Sequence, residues 1–213
     1  MDPQPYLEGS ALREYAPPVA VESFTGFAVL GAAFETGHML ALRHFEGSSH
    51  AEGFTSVWMR EPNGDWRFFS TNPPSLGSCA HYMQPDVADQ TPIDIRWVDG
   101  ATLHVSIKAI GLRWFIEFDE DRRTRFMSAA LTRIPSGLLR TRAMSSFAAF
   151  IARNTLRAGK LRLHGTVPNG QRFAGLPRNI WRVKRSVAWA SAYNFGEMVR
   201  PGKQERFGDR RMN

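Results

Sequence analysis

The groups in this 213-residue chain that can do chemistry are its six histidines, one cysteine and a few well-placed carboxylates. Arg96, His104 and Glu117 stand on successive segments that alternate polar and apolar residues, at positions that bring them together if the segments pair. A histidine beside a carboxylate titrates near neutrality and is oriented by it, so this row is a candidate general acid/base set. The same row also describes a charged ladder across the solvated face of a sheet, and it turns to chemistry only where that face lines a cavity. A second group is Ser78-Cys79-Ala80-His81-Tyr82, in a Pro- and Gly-rich stretch from Asn72 to Pro92. His81 and Tyr82 at a pocket rim can donate protons or hydrogen bonds to a ligand carbonyl or hydroxyl. Cys79 is a contact candidate beside them, although a lone cysteine also serves as a small buried hydrophobe.

These groups need a scaffold, and alternation supplies it. Thr91–Pro135 reads as four successive antiparallel strands, since side chains on a strand point to opposite faces with period two. Ile93, Ile95 and Trp97 share one face, as do Leu103, Val105, Ile107 and Ala109, and then Leu112, Trp114, Ile116 and Phe118. A two-residue loop at Ile110-Gly111 sets His104 opposite Glu117, and a three-residue loop at Asp99–Ala101 sets Arg96 opposite His104 and Trp97 opposite Leu103. Trp58, Trp97 and Trp114 are then wall residues of the scaffold and, with Arg96 and Cys79, candidate ligand contacts.

The rest of the chain extends the β pattern. Phe24–Phe34 and His38–Phe45 are strand candidates, and Phe54–Arg60 with Trp66–Thr71 forms a hairpin across Asn63-Gly64. Asn72–Pro92 reads as a long loop of the kind that serves as a lid or binding loop. Pro135-Ser136 opens an amphipathic helix over about 137–158, apolar at Leu139, Ala143, Phe147, Phe150 and Ile151 and basic at Arg140, Arg142, Arg153 and Arg157. Lys160–Val167, Gln171–Ala174, Asn179–Lys184 and Ser186–Tyr193 return to β. The expected class is therefore mainly β: an antiparallel barrel of about eight to ten strands, or a sandwich, with one helix. The expected organisation is an extended arm at 1–21, one barrel domain at 22–196 and a basic tail at 197–213.

Three of these features together resemble the lipocalin-like (calycin) barrels, and within them the hydroxyneurosporene-synthase-like branch. They are the phrase Phe54-Thr55-Ser56-Val57-Trp58, the Trp66–Phe69 return strand and the meander. Where the lipocalin family carries its G-x-W signature, this chain has Gly26-Phe27-Ala28. The resemblance implies a cavity for a small hydrophobic molecule, with or without chemistry upon it. A chain of this kind would be a carrier or a cofactor-independent lyase, hydratase or isomerase.

Composition sets the limits. Apolar residues are 43% and aromatic residues 12%, enough for a substantial core. A single cysteine excludes an intrachain disulfide and a cysteine metal cluster. No metal site is expected, and no phosphate-cradling loop, HExxH helix or Gly-x-Ser-x-Gly elbow indicates a cofactor or another known chemistry. The N-terminus lacks a basic segment followed by an apolar one, so the expectation is a cytoplasmic protein without a signal peptide or membrane span. A net charge of +7, the basic helix face and the Arg-rich tail keep open a second class, a module that binds nucleic acid or another anionic partner.

Overall fold

A computed structural model describes residues 3, 23–48, 53–73, 79–119, 121–134, 164–175, 177 and 179–200. The expected helix at 137–158, nearly all of the N-terminal arm and most of the basic tail lie outside the described residues.

The first sheet is built from β1 (Phe24–Phe34), β2 (Met39–Ser48), β3 (Phe54–Arg60), β4 (Trp66–Ser70), β5 (Val87–Gln90) and β13 (Met198–Val199). Its strand order is β13-β1-β2-β3-β4-β5. The expected β3–β4 hairpin forms with Trp58 opposite Phe68 and Val57 opposite Phe69. Its loop spans Glu61 to Asp65, with Glu61 N–H donating to Asp65 O, and Gly64 alone adopts positive φ.

The stretch expected to be a long loop contains a short helix, α1 (Cys79–Met83), and then β5. β5 runs parallel to β4, with Phe69 opposite Asp89. Parallel neighbours require a crossover of about a dozen residues, and the segment between Ser70 and Val87 supplies it. Its Pro and Gly content conceals a four-residue strand from pattern reading. The tail also contributes structure, since Met198 and Val199 add an edge strand beside β1.

The second sheet comprises β6 (Asp94–Trp97), β7 (Thr102–Ile107), β8 (Leu112–Asp119), β11 (Arg182–Ala190) and β12 (Tyr193–Asn194), in the order β12-β11-β8-β7-β6. Arg96 pairs with His104 and Trp97 with Leu103, as the alternation predicts. The β7–β8 register differs from expectation. Lys108–Ile110 forms a 3-10 turn closed by Gly111 in the left-handed region, so the loop takes four residues. Val105 therefore faces Trp114, and His104 faces Phe115. A shift of two residues leaves every side chain on its expected face and changes only its partner.

The fourth expected strand of the meander is helix α2 (Arg122–Arg133). Asp121 caps it, its carboxylate accepting from Arg123 N–H and Thr124 N–H. These two backbone bonds, the Thr124 one first, hold the Asp121 carboxyl below the usual range. Thr124, Met127 and Leu131 are the buried residues, at helical spacing. A short hairpin of β9 (His164–Thr166) and β10 (Arg172–Ala174) follows. The two expected strands between Asn179 and Tyr193 are mostly one, β11.

The described parts of Met1–Glu117 and Val183–Arg200 make one compact unit, and those of Phe118–Arg182 a second. In the first unit the chain passes from β5 to β6 at one pair of sheet edges and from β12 to β13 at the other. The sheets are thus linked by the chain at both sides, without a hydrogen-bonded closure among the described strands. Val29, Leu42, Val57 and Phe69 are successive partners across one face of the first sheet. Leu103, Val105, Ile107, Leu112, Trp114, Ile116 and Ala188, each at most 1% exposed, form the apolar face of the second. Met59 and Arg67 line one groove with Ile110 and Ala190 at one end of these faces, which places the two apolar surfaces toward each other. No helix among the described residues is long and apolar enough to cross a membrane.

Candidate functional site

At that end of the two sheets lies an open groove of about 410 Å³ lined by His38, Met59, Glu61, Arg67, Ile110, Ala190, Tyr193 and Phe195. His38 stands just before β2, at the close of the Glu35–His38 turn. Its imidazole stacks on the Phe195 ring, with centroids 4.1 Å apart and planes 8° apart, and Tyr193 lies 5.6 Å away. Thr36 Oγ1 is 2.9 Å from His38 Nδ1 and donates its hydroxyl proton to Phe195 O, also at 2.9 Å. A hydroxyl has one proton to give, so Oγ1 accepts from His38 Nδ1–H. That fixes the tautomer: Nε2 carries the lone pair. Burial lowers the His38 pKa below the ordinary range, and Glu61 opposes it. A neutral imidazole with its basic nitrogen selected is what proton abstraction requires.

Arg67 completes the groove. Its guanidinium lies 3.7 Å from Glu61 and 3.4 Å from Asp89, and 5.4 Å from the Phe69 ring centroid. A cation about the developing charge of an enolate or alkoxide is the usual electrostatic complement of a histidine base. No local motif marks this site, because its parts are remote in the chain: Thr36 and Phe195 are 159 residues apart. The one legible signal was His38 itself at the entry to a strand.

The residues singled out from sequence fall in three places. Arg96 and His104 do meet, Arg96 Nε donating to His104 Nδ1 at 3.1 Å. His104 is 6% exposed and lies against Phe115, with centroids 4.4 Å apart. Glu117 does not join them. It faces Thr102 across the ladder and pairs with Lys184, so the expected Arg96–His104–Glu117 row is broken by the four-residue β7–β8 loop. Trp97 is half-buried opposite Leu103, and Trp114 is fully buried with Nε1 donating to Ser186 Oγ at 2.7 Å. Trp58 and Cys79 belong to the other face of the first sheet. Cys79 opens α1 and is buried, His81 is exposed, and Tyr82 is half-buried with its ring 6.0 Å from Phe24. Burial pushes the Cys79 thiol up to about 11, against opposing effects of Arg43, Trp58 and Ser56, so the sulfur is protonated and unreactive at neutral pH. Among the described residues no three His, Cys, Asp or Glu side chains group as a metal site.

Three imidazoles share one electrostatic consequence. Burial is the largest cause lowering the pKa of His38, His44 and His104; Glu61 and Glu46 oppose it for the first two, and Arg96 reinforces it for His104. The unfolded chain then binds more protons than the folded one below about pH 6.5. Stability is therefore complete above that pH and falls as pH drops from it toward the folded values. The urea midpoint is expected to be lower at pH 5.5 than at pH 7.5, with a shallower difference in His104→Gln. An equal or higher midpoint at pH 5.5 would mean that the buried imidazoles are not neutral.

No protein-family model matches the chain, and no curated protein or solved structure matches it.

Proposed function

We propose that this is a lipocalin-like small-molecule protein whose ligand occupies the rim groove, where His38 performs cofactor-independent proton transfer of the lyase, hydratase or isomerase kind. The observation that carries this reading is the tautomer selection at His38 by Thr36 inside a groove that also holds Arg67 and Tyr193. Met59, Ile110, Ala190 and Phe195 supply an apolar floor, which suits a largely hydrophobic ligand bearing one carbonyl or hydroxyl group. His38 Nε2 takes a proton from carbon next to that carbonyl, Arg67 stabilises the oxygen that gains charge, and Tyr193 is placed to return a proton.

The test begins with native mass spectrometry of protein purified from its own host, followed by extraction of any bound compound. That compound, or a panel of small ketones and aldehydes, is then incubated with the protein in D2O. Deuterium incorporation next to the carbonyl, reduced by about 100-fold or more in His38→Gln, is the expected result. Binding without His38-dependent exchange would leave a carrier and remove the catalytic half of the reading. No bound compound together with no His38-dependent exchange for any member of the panel would remove both halves.

A second reading rests on α2. Arg122, Arg123, Arg125 and Arg133 are exposed, Phe126 is 75% exposed beside them, and the helix contains no acidic residue. Cations in the first helical turn oppose the helix dipole, so this placement does not serve the helix itself. It suits an anionic partner such as a nucleic acid, with Phe126 available for stacking. Retention on heparin or single-stranded DNA that falls steeply with salt, and that is lost in Arg122→Glu/Arg125→Glu, would favour this reading.

A further inference from the structure

The rim groove runs against the charge of the chain as a whole. The net charge is +7, yet two carboxylates, Glu61 and Asp89, stand 3.7 Å and 3.4 Å from Arg67, the one guanidinium among the residues that line the groove. Arg67 Nη2 donates to Asp89, whereas Glu61 lies beyond hydrogen-bond length from Nη1. Asp89 therefore answers the guanidinium first, and the Glu61 carboxylate is the less committed charge. At His38, where burial lowers the imidazole pKa, the charge that opposes burial is that of Glu61. The field of Glu61 thus reaches across the groove to the histidine. A half-buried charge in a cleft is screened less than one on open surface, and it raises the local concentration of ligands of opposite sign.

The backbone holds Glu61 in place. Its N–H donates to Asp65 O at 2.9 Å and its carbonyl accepts from Gly64 N–H at 2.8 Å, closing the β3–β4 loop. Beside it is a cluster of three rings. His38 stacks on Phe195, and Tyr193 lies 5.6 Å from the first and 6.2 Å from the second. Tyr193 lines the groove and is 55% exposed, so its ring is accessible to a ligand. An aromatic face is negative and attracts a cation held within about 6 Å of it.

We propose that the groove selects a ligand carrying an organic ammonium group on an apolar body, with Glu61 as its counter-ion and the Tyr193 ring as its second contact. This names the ligand class of the groove and rests on reading the groove as the ligand site, not on proton transfer by His38. Met59, Ile110 and Ala190 receive the apolar body. An anion of the same shape meets Glu61 as a like charge and is disfavoured. With Arg67 as the partner of a carbonyl oxygen, the substrate class becomes an amine-bearing ketone or aldehyde.

The test titrates the full chain with 3-phenylpropylamine and benzyltrimethylammonium, with 3-phenylpropanol as the uncharged counterpart and 3-phenylpropionate as the anion. Calorimetry and thermal unfolding at pH 7.5, where the amine is protonated, are the readouts. Both cations are expected to bind saturably and raise Tm, with the alcohol about tenfold weaker or more and the anion weaker still. Glu61→Gln keeps the shape of the side chain and is expected to lower cation affinity about tenfold or more without changing that of the alcohol. Tyr193→Leu is expected to weaken both cations about three- to fivefold, and Tyr193→Phe, which keeps the ring, to bind them as the parent does. The inference is overturned if none of the four compounds binds, if the alcohol or the anion binds as tightly as the cations, or if Glu61→Gln and Tyr193→Leu both leave cation affinity intact. Equal binding of alcohol and cations, weakened together by Met59→Gln, overturns the charge selection and leaves the groove as the ligand site. Cation binding that depends on Glu61, without His38-dependent deuterium exchange, supports this inference and removes the catalytic reading.

Discussion

Trp114→Ala is expected to cost about 4 kcal/mol or more and to leave the protein largely unfolded at modest urea concentrations. Trp114 is fully buried at the centre of the second sheet, opposite Val105 and flanked by Leu112 and Ile116 on the same face. Truncating a buried Trp costs about 3–5 kcal/mol through lost transfer energy and the cavity left behind. The indole also satisfies Ser186, whose hydroxyl is 1% exposed and accepts from Nε1, and an orphaned buried hydroxyl adds about 1–3 kcal/mol. Whole-domain stability is only about 5–15 kcal/mol, so this single side chain carries a large share of it. Urea unfolding followed by far-UV circular dichroism measures the effect without relying on the missing fluorophore. Trp114→Phe separates the two contributions: it retains most of the volume and strands Ser186, and Trp114→Phe/Ser186→Ala should recover part of the loss. A shift below about 1 kcal/mol for Trp114→Ala would mean that the two sheets do not close over this face.

Gly26→Ala ranks next, with an expected cost of about 3 kcal/mol. A Cβ at this position would stand 2.0 Å from His44 O and 2.8 Å from the Phe45 Cα. Both are backbone atoms of the paired strand, so relief requires moving β1 away from β2. Gly26 also has φ of +154° and sits where the β1–β2 register shifts, between Thr25 and Gly26. Overpacking costs about 1–3 kcal/mol, and a backbone conformation unsuited to side chains adds a similar amount. Gly170→Ala is the internal comparison. Its φ is +89°, and a Cβ there meets nothing within 4 Å, so it carries the conformational cost alone, about 1 kcal/mol. Equal effects of the two substitutions, measured by urea midpoint, would show that β1 and β2 are not held as closely as described.

The sequence by itself determined which residues face the core. Leu103, Val105 and Ile107, then Leu112, Trp114 and Ile116, sit where their alternation puts them, because burial of a sheet face imposes period two on the chain. It also determined the β3–β4 hairpin and the Arg96–His104 contact, both of which depend on short local loops. The α2 helix was not read from the sequence: the alternating pattern was carried through it as a fourth strand, and the Asp121 cap with Thr124, Met127 and Leu131 at helical spacing identifies it only once the structure is seen. Tertiary structure alone decided the rest. A slip of two residues between β7 and β8 preserves both faces, so the pattern cannot detect it, and the 3-10 turn at Lys108–Ile110 moved Glu117 away from His104. The parallel β5 depends on a crossover whose composition resembles loop. The Thr36–His38–Phe195 arrangement depends on chain ends that meet only when the second sheet returns to the first. Local periodicity records which way a side chain points, whereas the partner it meets is set by long-range packing that leaves no periodic trace.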